Sequence, residues 1–219
     1  MVNVKRIKCG KDNCFLIQGK DSSILVDTSK TKYRDKILSE CKKVKLIILT
    51  HGHIDHVQNA KYLSQKLNVP IAMHKSDYEI IKNNMLRPIF TSGILGNMIL
   101  AFSKNLFKHG KIDQFKPSIF LQEEDSLQNY GIDATIIELP GHTKGSIGIV
   151  VEKKDVIVGD ALMNVFYPTM SVMYENKKEV EDSALKISKL GDVLVHFGHG
   201  KSVLNKNWLR NKSILKERL

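Results

Sequence analysis

The chain has 219 residues, of which 42% are hydrophobic and 26% are charged, and this composition excludes an intrinsically disordered protein. No apolar run reaches the roughly 20 residues that a membrane-spanning helix needs, which excludes a helical transmembrane protein. The formal net charge of +11 comes from lysines spread along the chain. That distribution favours an ordinary soluble surface over attraction to nucleic acid, acidic lipid or another anionic partner. A chain of this length is typical of one domain, so we expect a single domain over residues 1–219.

The cysteine content bears on the cellular compartment. There are three cysteines, Cys9, Cys14 and Cys41, and their spacing fits no usual zinc or redox motif. An odd number of cysteines without such a motif indicates a reducing environment. No apolar signal segment follows the basic opening residues. We therefore expect a cytoplasmic protein.

The N-terminal third alternates between strand and helix patterns. Gly19, Lys20 and Asp21 separate two apolar runs, which is typical of a hairpin. Further along, apolar residues recur every three or four positions, as they do in helices. The predicted strands are 14–20, 22–29, 45–50 and 69–74, and the predicted helices are 35–44 and 57–67.

Residues 76–120 have a different pattern. We predict a helix over 76–86, with Ser76 as its N-cap. A second helix is predicted over 91–107, because its apolar residues fall on one side of a helix. Those residues are Ile94, Leu95, Met98, Ile99, Phe102 and Leu106.

The last hundred residues alternate again between strands and helices. The predicted strands are 132–140, 145–152, 155–162 and 192–200, and the predicted helices are 178–190 and a basic amphipathic tail over 205–219. Two β-rich halves with helices outside them indicate an α/β protein in which two sheets lie between layers of helices.

The segment Thr50-His51-Gly52-His53-Ile54-Asp55-His56-Val57 holds three of the eight histidines. Imidazole nitrogens and carboxylate oxygens are the usual ligands of zinc-like cations. Residues two apart in an extended chain lie on the same side, so His51 and His53 can project together. Asp55 and His56 follow as a helix begins and point elsewhere. This arrangement suits two adjacent metal ions better than one.

Three further candidate ligands stand at the ends of other predicted strands. His142, Asp160 and His199 each follow an apolar run, and a glycine precedes each of them directly. Five histidines and two aspartates are enough for three ligands at each of two metals and one bridging carboxylate.

The ordered set His-x-His-x-Asp-His, then His142, Asp160 and His199, resembles the metallo-β-lactamase superfamily, and the ligand set resembles that of glyoxalase II enzymes in particular. The resemblance extends from about residue 27 to residue 200. It implies an αββα four-layer sandwich, with residues 85–120 as an apolar helical insertion. It also implies that one metal is held by His51, His53 and His142, that the second is held by Asp55, His56 and His199, and that Asp160 bridges them.

Four other polar residues stand outside this ligand set. Asp27 ends a predicted strand, and it either orients a ligand histidine or serves as a turn residue. His196 lies within a strand pattern and is predicted to be a packed structural histidine. His74 and His109 match no ligand position, although either could line a cleft.

The metal set indicates hydrolysis by an activated water, in which Asp55 is the catalytic residue that orients the nucleophile and moves its proton. Two divalent metal ions are expected, with zinc the first choice and iron or manganese the alternatives. The expected substrate is a small-molecule ester, thioester or lactone. The alternative is a phosphodiesterase or nuclease, which the positive charge would suit. A non-enzymatic metal-binding protein would be expected to lack at least one ligand.

Residues 85–120 could determine the substrate. The apolar stripe could form a lid over the metals, the surface of a homodimer, or a helix that touches a membrane peripherally. It could also pack on the core, as most amphipathic helices do.

Overall fold

The computed structural model describes residues 1–83 and 87–206, apart from the side chains at 102 and 105–107. Nearly all of the predicted tail helix over 205–219 lies outside these residues, as does the end of the predicted helix over 76–86. The predicted stripe positions Phe102 and Leu106 also fall outside them.

Seven strands lie in the N-terminal part of the chain. They are β1 (Asn3–Cys9), β2 (Asp12–Gln18), β3 (Ser23–Val26), β4 (Val44–Ile48), β5 (Ile71–His74), β6 (Phe90–Thr91) and β7 (Ile119–Leu121). All except β6 form one sheet in the order β1-β2-β3-β4-β5-β7. The pairs β1–β2 and β2–β3 are antiparallel, and β3, β4, β5 and β7 pair in parallel.

Eight strands lie in the C-terminal part. They are β8 (Ala134–Glu138), β9 (Ile147–Val151), β10 (Asp155–Ile157), β11 (Leu162–Met163), β12 (Thr169–Met170), β13 (Met173–Tyr174), β14 (Leu194–His196) and β15 (Val203–Leu204). Five of them form a second sheet in the order β15-β14-β10-β9-β8. Of the shorter strands, β11 pairs with β12, and β13 pairs with β6.

Within residues 1–83 and 87–206, six α-helices surround the two sheets. They are α1 (Arg34–Glu40), α2 (Ile54–Val57), α3 (Ala60–Leu67), α4 (Tyr78–Lys82), α5 (Gly93–His109) and α6 (Lys177–Ser188). None of the helices among the described residues is both long and apolar enough to cross a membrane.

Strand alternation places apolar side chains on both faces of each sheet. On β2, Phe15 and Ile17 enter the core between the two sheets, whereas Cys14 and Leu16 face the core under helices α1 to α3. A third core packs the outer face of the second sheet against α6. The layers therefore run helix, sheet, sheet, helix, and the predicted αββα sandwich is confirmed.

Several predicted boundaries need correction. The predicted helix over 57–67 is two helices, since α2 ends at Val57 and α3 begins at Ala60. Ser76 is not an N-cap: a short 3-10 turn over Lys75–Asp77 precedes α4, and the His74 side chain accepts its first hydrogen bond. The predicted helix over 35–44 ends at Glu40. Strand β1 was not predicted.

The predicted helical insertion over 85–120 is only partly helical. Helix α5 accounts for 93–109, and the same region also contributes strands β6 and β7. Strand β7 extends the first sheet beside β5, so this end of the region belongs to the sandwich. The other end is attached through β6, which pairs with β13 near the ends of the second sheet.

Candidate metal centre

The seven predicted ligands come together at one edge of the sandwich. His51 follows β4, and His142 lies in the turn between β8 and β9. Strands β10 and β14 are parallel and pair Ile157 with His196, so Asp160 and His199, each three residues further on, meet at the same edge. A backbone hydrogen bond of 2.9 Å from Ile147 N to Thr50 O joins the two sheets beside these loops.

Three overlapping groups of these residues could each hold a cation. The donor atoms within each group lie within 4.8 Å of one another. The groups are His51, His53 and His142; His51, His56 and Asp160; and Asp55, His56 and His199. The middle group shares His51 with the first group and His56 with the third, so all seven residues form one connected cluster.

Asp160 lies between the outer two groups. Its Oδ2 is 3.8 Å from His142 Nε2 and 3.1 Å from His199 Nε2, and its Oδ1 is 3.6 Å from His56 Nε2. Gly198 makes this approach feasible, since a Cβ there would stand 2.2 Å from Asp160 Oδ1. The carboxylate of Asp160 therefore lies between histidines of both outer groups.

Three polar atoms of the cluster are buried without a hydrogen-bond partner among the described residues. They are His51 Nε2, His56 Nε2 and Asp160 Oδ1. Leaving a buried polar atom unpaired costs roughly 1–3 kcal/mol. All three belong to the middle group, and a cation bound there would satisfy them together, so the residues fit a metal.

Protein groups behind the ligands fix the orientation of the rings. The Nδ1 atom of His142 lies 2.7 Å from Met173 O, and that of His199 lies 3.1 Å from Lys11 O. The Nδ1 atom of His51 lies 3.1 Å from Thr50 Oγ1. In each of these three rings Nδ1 contacts a protein oxygen behind the cluster, so Nε2 is the nitrogen that a metal would bind. His53 differs, because its Nδ1 faces His142 Nε2 at 2.9 Å.

Asp27 orients His56. Its Oδ2 lies 2.8 Å from His56 Nδ1, and its carboxylate also accepts hydrogen bonds from the backbone and hydroxyl of Thr50 at 2.8 and 2.9 Å. The backbone of Asp27 has a φ of 60°, a conformation that Asp and Asn adopt more readily than most residues. Asp27 was predicted either to orient a ligand histidine or to serve as a turn residue, and the structure shows the contact with a candidate ligand that the first role needs.

The histidines of the first group stay neutral near pH 7. Burial, with the neighbouring His56 and His142, holds the pKa of His51 well below its usual value. Burial and the adjacent His142 lower the pKa of His53 to about 3, and burial also lowers that of His142. Neutral imidazole is the form that binds a metal.

The group of Asp55, His56 and His199 has the opposite electrostatics, so a metal bound there would displace a proton from each of its histidines. Burial disfavours the charged form of His56, but Asp160 and Asp27 outweigh it and raise the pKa to about 10. Burial also disfavours the charged form of His199, but Asp160 outweighs this effect and raises the pKa of His199 to about 9. For Asp55, burial is outweighed by His56 and His199, which lower the pKa of its carboxyl group and keep it ionised.

Asp77 supports the site but was not identified in the sequence. This fully buried carboxylate accepts hydrogen bonds from Gly52 N at 2.9 Å, Gly145 N at 2.8 Å and Thr143 Oγ1 at 2.6 Å. It therefore joins the loop of His51 and His53 to the loop of His142. Arg87 Nη1 lies 3.2 Å from its Oδ1.

The remaining histidines lie outside the cluster. His196 is buried between Asp155 and Ser202, each 2.7 Å from one of its ring nitrogens, so the prediction of a structural histidine is confirmed. His74 lies 3.3 Å from Glu138 and caps the turn at Lys75–Asp77. His109 is exposed at the end of α5. Neither His74 nor His109 lines the cavity described next.

A cavity of about 560 Å³ opens onto the candidate ligands. Two sets of side chains line it in addition to those ligands. We call the first set the basic wall, and it consists of Arg6, Lys8, Lys11 and Lys201. We call the second set the apolar wall, and it consists of Leu95, Met98, Ile99, Met163, Val165 and Phe166.

Comparison with known sequences supports a metal-dependent enzyme. The chain is 26% identical to the probable metallo-hydrolase YflN of Bacillus subtilis over 90% of this chain and 83% of that protein. It is 36% identical to the hydroxyacylglutathione hydrolase GloC of Haemophilus influenzae over 54% of this chain and 50% of that protein.

The fold is shared with solved structures, and the sequence matches one protein-family model. The BLEG-1 B3 metallo-β-lactamase superposes with a TM-score of 0.75 at 18% identity, covering 97% of this chain and 99% of that one. TTHA1623 in its di-iron-bound form gives a TM-score of 0.70 at 21% identity, covering 96% and 98%. The family model of the metallo-beta-lactamase superfamily matches residues 7–199. The chain thus belongs to the metallo-β-lactamase superfamily and is a metal-dependent hydrolase.

Proposed function

We propose that the seven clustered residues hold two divalent metal ions and that the protein hydrolyses a small-molecule ester, thioester or lactone. The observation that carries the proposal is the set of overlapping ligand groups, in which the unpaired atoms of His51, His56 and Asp160 face one another. When bound, such ions supply an activated water and polarise the substrate carbonyl. One ion would be held by His51, His53 and His142, the other by Asp55, His56 and His199, and Asp160 would bridge them.

Asp55 is the proposed catalytic residue. Its side chain is half-buried at the cavity surface, and its Oδ2 lies 3.6 Å from His199 Nε2. Because it is ionised, its carboxylate can accept a hydrogen bond from the attacking water and so orient it. The same carboxylate can then pass the proton of that water to the leaving alcohol or thiol, which needs a proton as the bond to the acyl carbon breaks.

The candidate ligands limit which metals can bind. Imidazole and carboxylate suit zinc, iron and manganese, and TTHA1623, which shares the fold, has been solved with two irons. We propose zinc as the first choice, and a cytoplasmic protein as its setting. Elemental analysis of the purified protein measures both the identity of the metal and the number bound per chain.

The experiment is a substrate panel combined with two substitutions. Protein loaded with zinc, iron or manganese is assayed on an ester, a thioester, a lactone and a phosphodiester. We expect carbonyl substrates to be cleaved, and we expect His51→Ala and Asp55→Ala to remove that activity while circular dichroism stays unchanged. His109→Ala, at an exposed histidine outside the cavity, is the matched control. Undiminished hydrolysis by correctly folded His51→Ala or Asp55→Ala would contradict the proposal.

A phosphodiesterase is the second candidate. The basic wall favours it, because Arg6, Lys8 and Lys201 line the cavity that contains the candidate ligands and could contact phosphate groups. Faster cleavage of the phosphodiester than of every carbonyl substrate in the panel would favour this candidate over the first.

A further inference from the structure

The two walls of the cavity adjoin the candidate ligands differently. The basic wall adjoins His199: Lys11 O lies 3.1 Å from His199 Nδ1, and Lys201 follows two residues later. The α5 part of the apolar wall adjoins His142, since α5 and its preceding strand β6 are tied to β13, whose Met173 O lies 2.7 Å from His142 Nδ1. Its other part, Met163, Val165 and Phe166, flanks Asn164, whose backbone N donates a hydrogen bond of 2.9 Å to His199 O. Apolar side chains therefore line the cavity from His142 to His199, and the basic side chains are added at the His199 end.

The positions of the basic side chains are set by the β1–β2 hairpin. Arg6 and Lys8 are two residues apart in β1, so their side chains lie on the same face of the strand. Arg6 Nη1 donates a hydrogen bond of 3.0 Å to Gly200 O, which holds the guanidinium next to the His199 loop. Lys8 and Lys201 are exposed.

The carboxylates in the cavity are already occupied. Asp12 Oδ2 lies 2.7 Å from Lys30 Nζ, and Asp55 and Asp160 lie among the histidines. Within 1–83 and 87–206, no ion pair is formed by Arg6, Lys8 or Lys201. These three cations are therefore available to a ligand of opposite charge.

Three of the six side chains in the apolar wall are exposed to solvent, whereas Met163 is buried. Met98 is 50% exposed and Phe166 is 72% exposed, and Val165 beside it is 40% exposed. Helix spacing places Leu95, Met98 and Ile99 on one side of α5. Large apolar side chains that meet water around a cavity mark a surface that an apolar ligand can cover.

We propose that the substrate is an anionic amphiphile: an ester or thioester whose acyl chain is apolar and whose alcohol or thiol part carries a negative charge. The inference rests on the proposed hydrolase function and gives it a substrate class. The acyl chain would lie along the apolar wall, beside His142, and the anionic group would lie against Arg6, Lys8 and Lys201, beside His199. Water adds its oxygen to the acyl carbon and the bond to oxygen or sulfur breaks. One proton of the water goes to the leaving alcohol or thiol and the other is released to solvent, so the products are a fatty carboxylate, an anionic alcohol or thiol, and a proton.

A matched series of octanoyl thioesters tests the charge preference. The thiol is 2-mercaptoethanesulfonate in the anionic substrate, N-acetylcysteamine in the neutral one and thiocholine in the cationic one, and each is assayed below its critical micelle concentration. We expect kcat/KM to fall in that order, with the anionic thioester preferred over the neutral one by about tenfold, as charge-assisted hydrogen bonds would give. Added salt should reduce this preference.

Substitutions in the basic wall then test whether its side chains cause the preference for the anionic thioester. The double variant Lys8→Gln/Lys201→Gln changes only exposed side chains, so folding should be retained, and Arg6→Gln tests the third cation. Each should lower the ratio of anionic to neutral kcat/KM towards one. Lys45→Gln removes an equally exposed lysine on β4, outside the cavity, and should leave the ratio unchanged.

The outcomes separate this inference from the proposed function. Hydrolysis of the neutral thioester at a rate equal to or above that of the anionic one would overturn the inference and leave the hydrolase proposal in place. A preference for the anionic thioester that survives all three substitutions would also overturn it. Failure of the metal-loaded protein to cleave any thioester, ester or lactone would overturn the proposed function itself, and the inference with it.

Discussion

The floor of the cavity and its walls are built in opposite ways. The floor consists of the seven candidate ligands, five of which line the cavity directly, and buried groups such as Asp27, Asp77 and Met173 O hold them or their loops from behind. The walls consist mostly of exposed or partly exposed side chains on α5, on the loop around Phe166 and on the β1–β2 hairpin, although Met163 is buried. Catalysis requires the reacting groups to be held in a fixed geometry, whereas exposed side chains can be substituted with little effect on the stability of the core. We infer that the floor sets the chemistry and the walls set the substrate.

The largest effect is expected from a change to the floor at Asp160. Asp160→Asn replaces a carboxylate that lies 3.1 to 3.8 Å from histidines of both groups, so both metal positions lose a ligand. Hydrolysis should fall to background, and the metal content should fall from two ions per chain to at most one. Activity assays with elemental analysis measure these changes.

Asp155→Asn is the matched control for Asp160→Asn. Asp155 begins the same strand, β10, but it lies beside His196 rather than in the cluster. Its replacement should leave the metal content unchanged. Two ions per chain and full activity in Asp160→Asn would show that the floor does not depend on a bridging carboxylate.

A smaller effect is expected from Asp77→Asn, which alters the support of the floor without removing a ligand. The amide keeps the shape of the carboxylate but replaces one acceptor oxygen with a donor, so either Gly52 N or Gly145 N loses its partner. Loss of such a supporting contact typically lowers metal affinity by about 10–100-fold, and a buried donor left unpaired costs roughly 1–3 kcal/mol of stability. Chelator competition and urea unfolding measure the two effects.

Glu175→Gln provides the comparison for Asp77→Asn. Glu175 also pairs with Arg87, at 3.1 Å, but it binds the backbone of the exposed Lys144 rather than the loop of His51 and His53. Metal affinity should change less than in Asp77→Asn. Equal losses in the two variants would mean that Arg87, and not the link between the ligand loops, is responsible.

Asp27→Asn tests the support of a single ligand. Asn tolerates the left-handed backbone conformation at this position, so the substitution leaves the backbone in place and changes the contacts of the side chain with His56 and Thr50. We expect metal affinity to fall within the same range of about 10–100-fold, but towards its lower end because Asp27 directly contacts a single candidate ligand among the described residues, His56. Isothermal titration of the metal-free protein should show one site weakened more than the other. Equal weakening of both sites would contradict this assignment.

The floor could be predicted from the sequence because its signals are local. The candidate ligands are histidines and aspartates that follow the ends of strands, with Asp55 and His56 in the helix α2 that comes directly after His53, and short apolar runs mark the strands. Asp77 could not be found in this way, since its partners Gly145 and Thr143 are distant in sequence and nothing in the segment around Ser76 distinguishes a buried carboxylate from a helix cap. The break between α2 and α3 was missed because apolar spacing continues across Gln58 and Asn59.

The walls could not be predicted, because exposure is a property of the tertiary structure. The pattern of Ile94, Leu95, Met98 and Ile99 is the same whether a helix packs on the core or lines a cavity. In the structure, Ile94 is 81% exposed and Ile99 packs partly against the core, while Leu95, Met98 and Ile99 also line the cavity. The basic wall was equally hidden, since β1 was not predicted and its lysines read as part of a dispersed surface charge.

The smallest effect is expected from Phe166→Ala in the apolar wall. Because this ring is 72% exposed, its removal should change the free energy of unfolding by no more than about 0.5 kcal/mol. It should nevertheless reduce kcat/KM for an octanoyl thioester by a few-fold, since contact with the acyl chain contributes about 25 cal/mol for each Å² of apolar surface that it buries. An acetyl thioester, too short to reach the ring, should be cleaved at the wild-type rate. The values of kcat/KM for the octanoyl and acetyl thioesters measure the difference. An equal reduction for both substrates would show that Phe166 acts on the floor. That result would remove the distinction between a floor that sets the chemistry and walls that set the substrate.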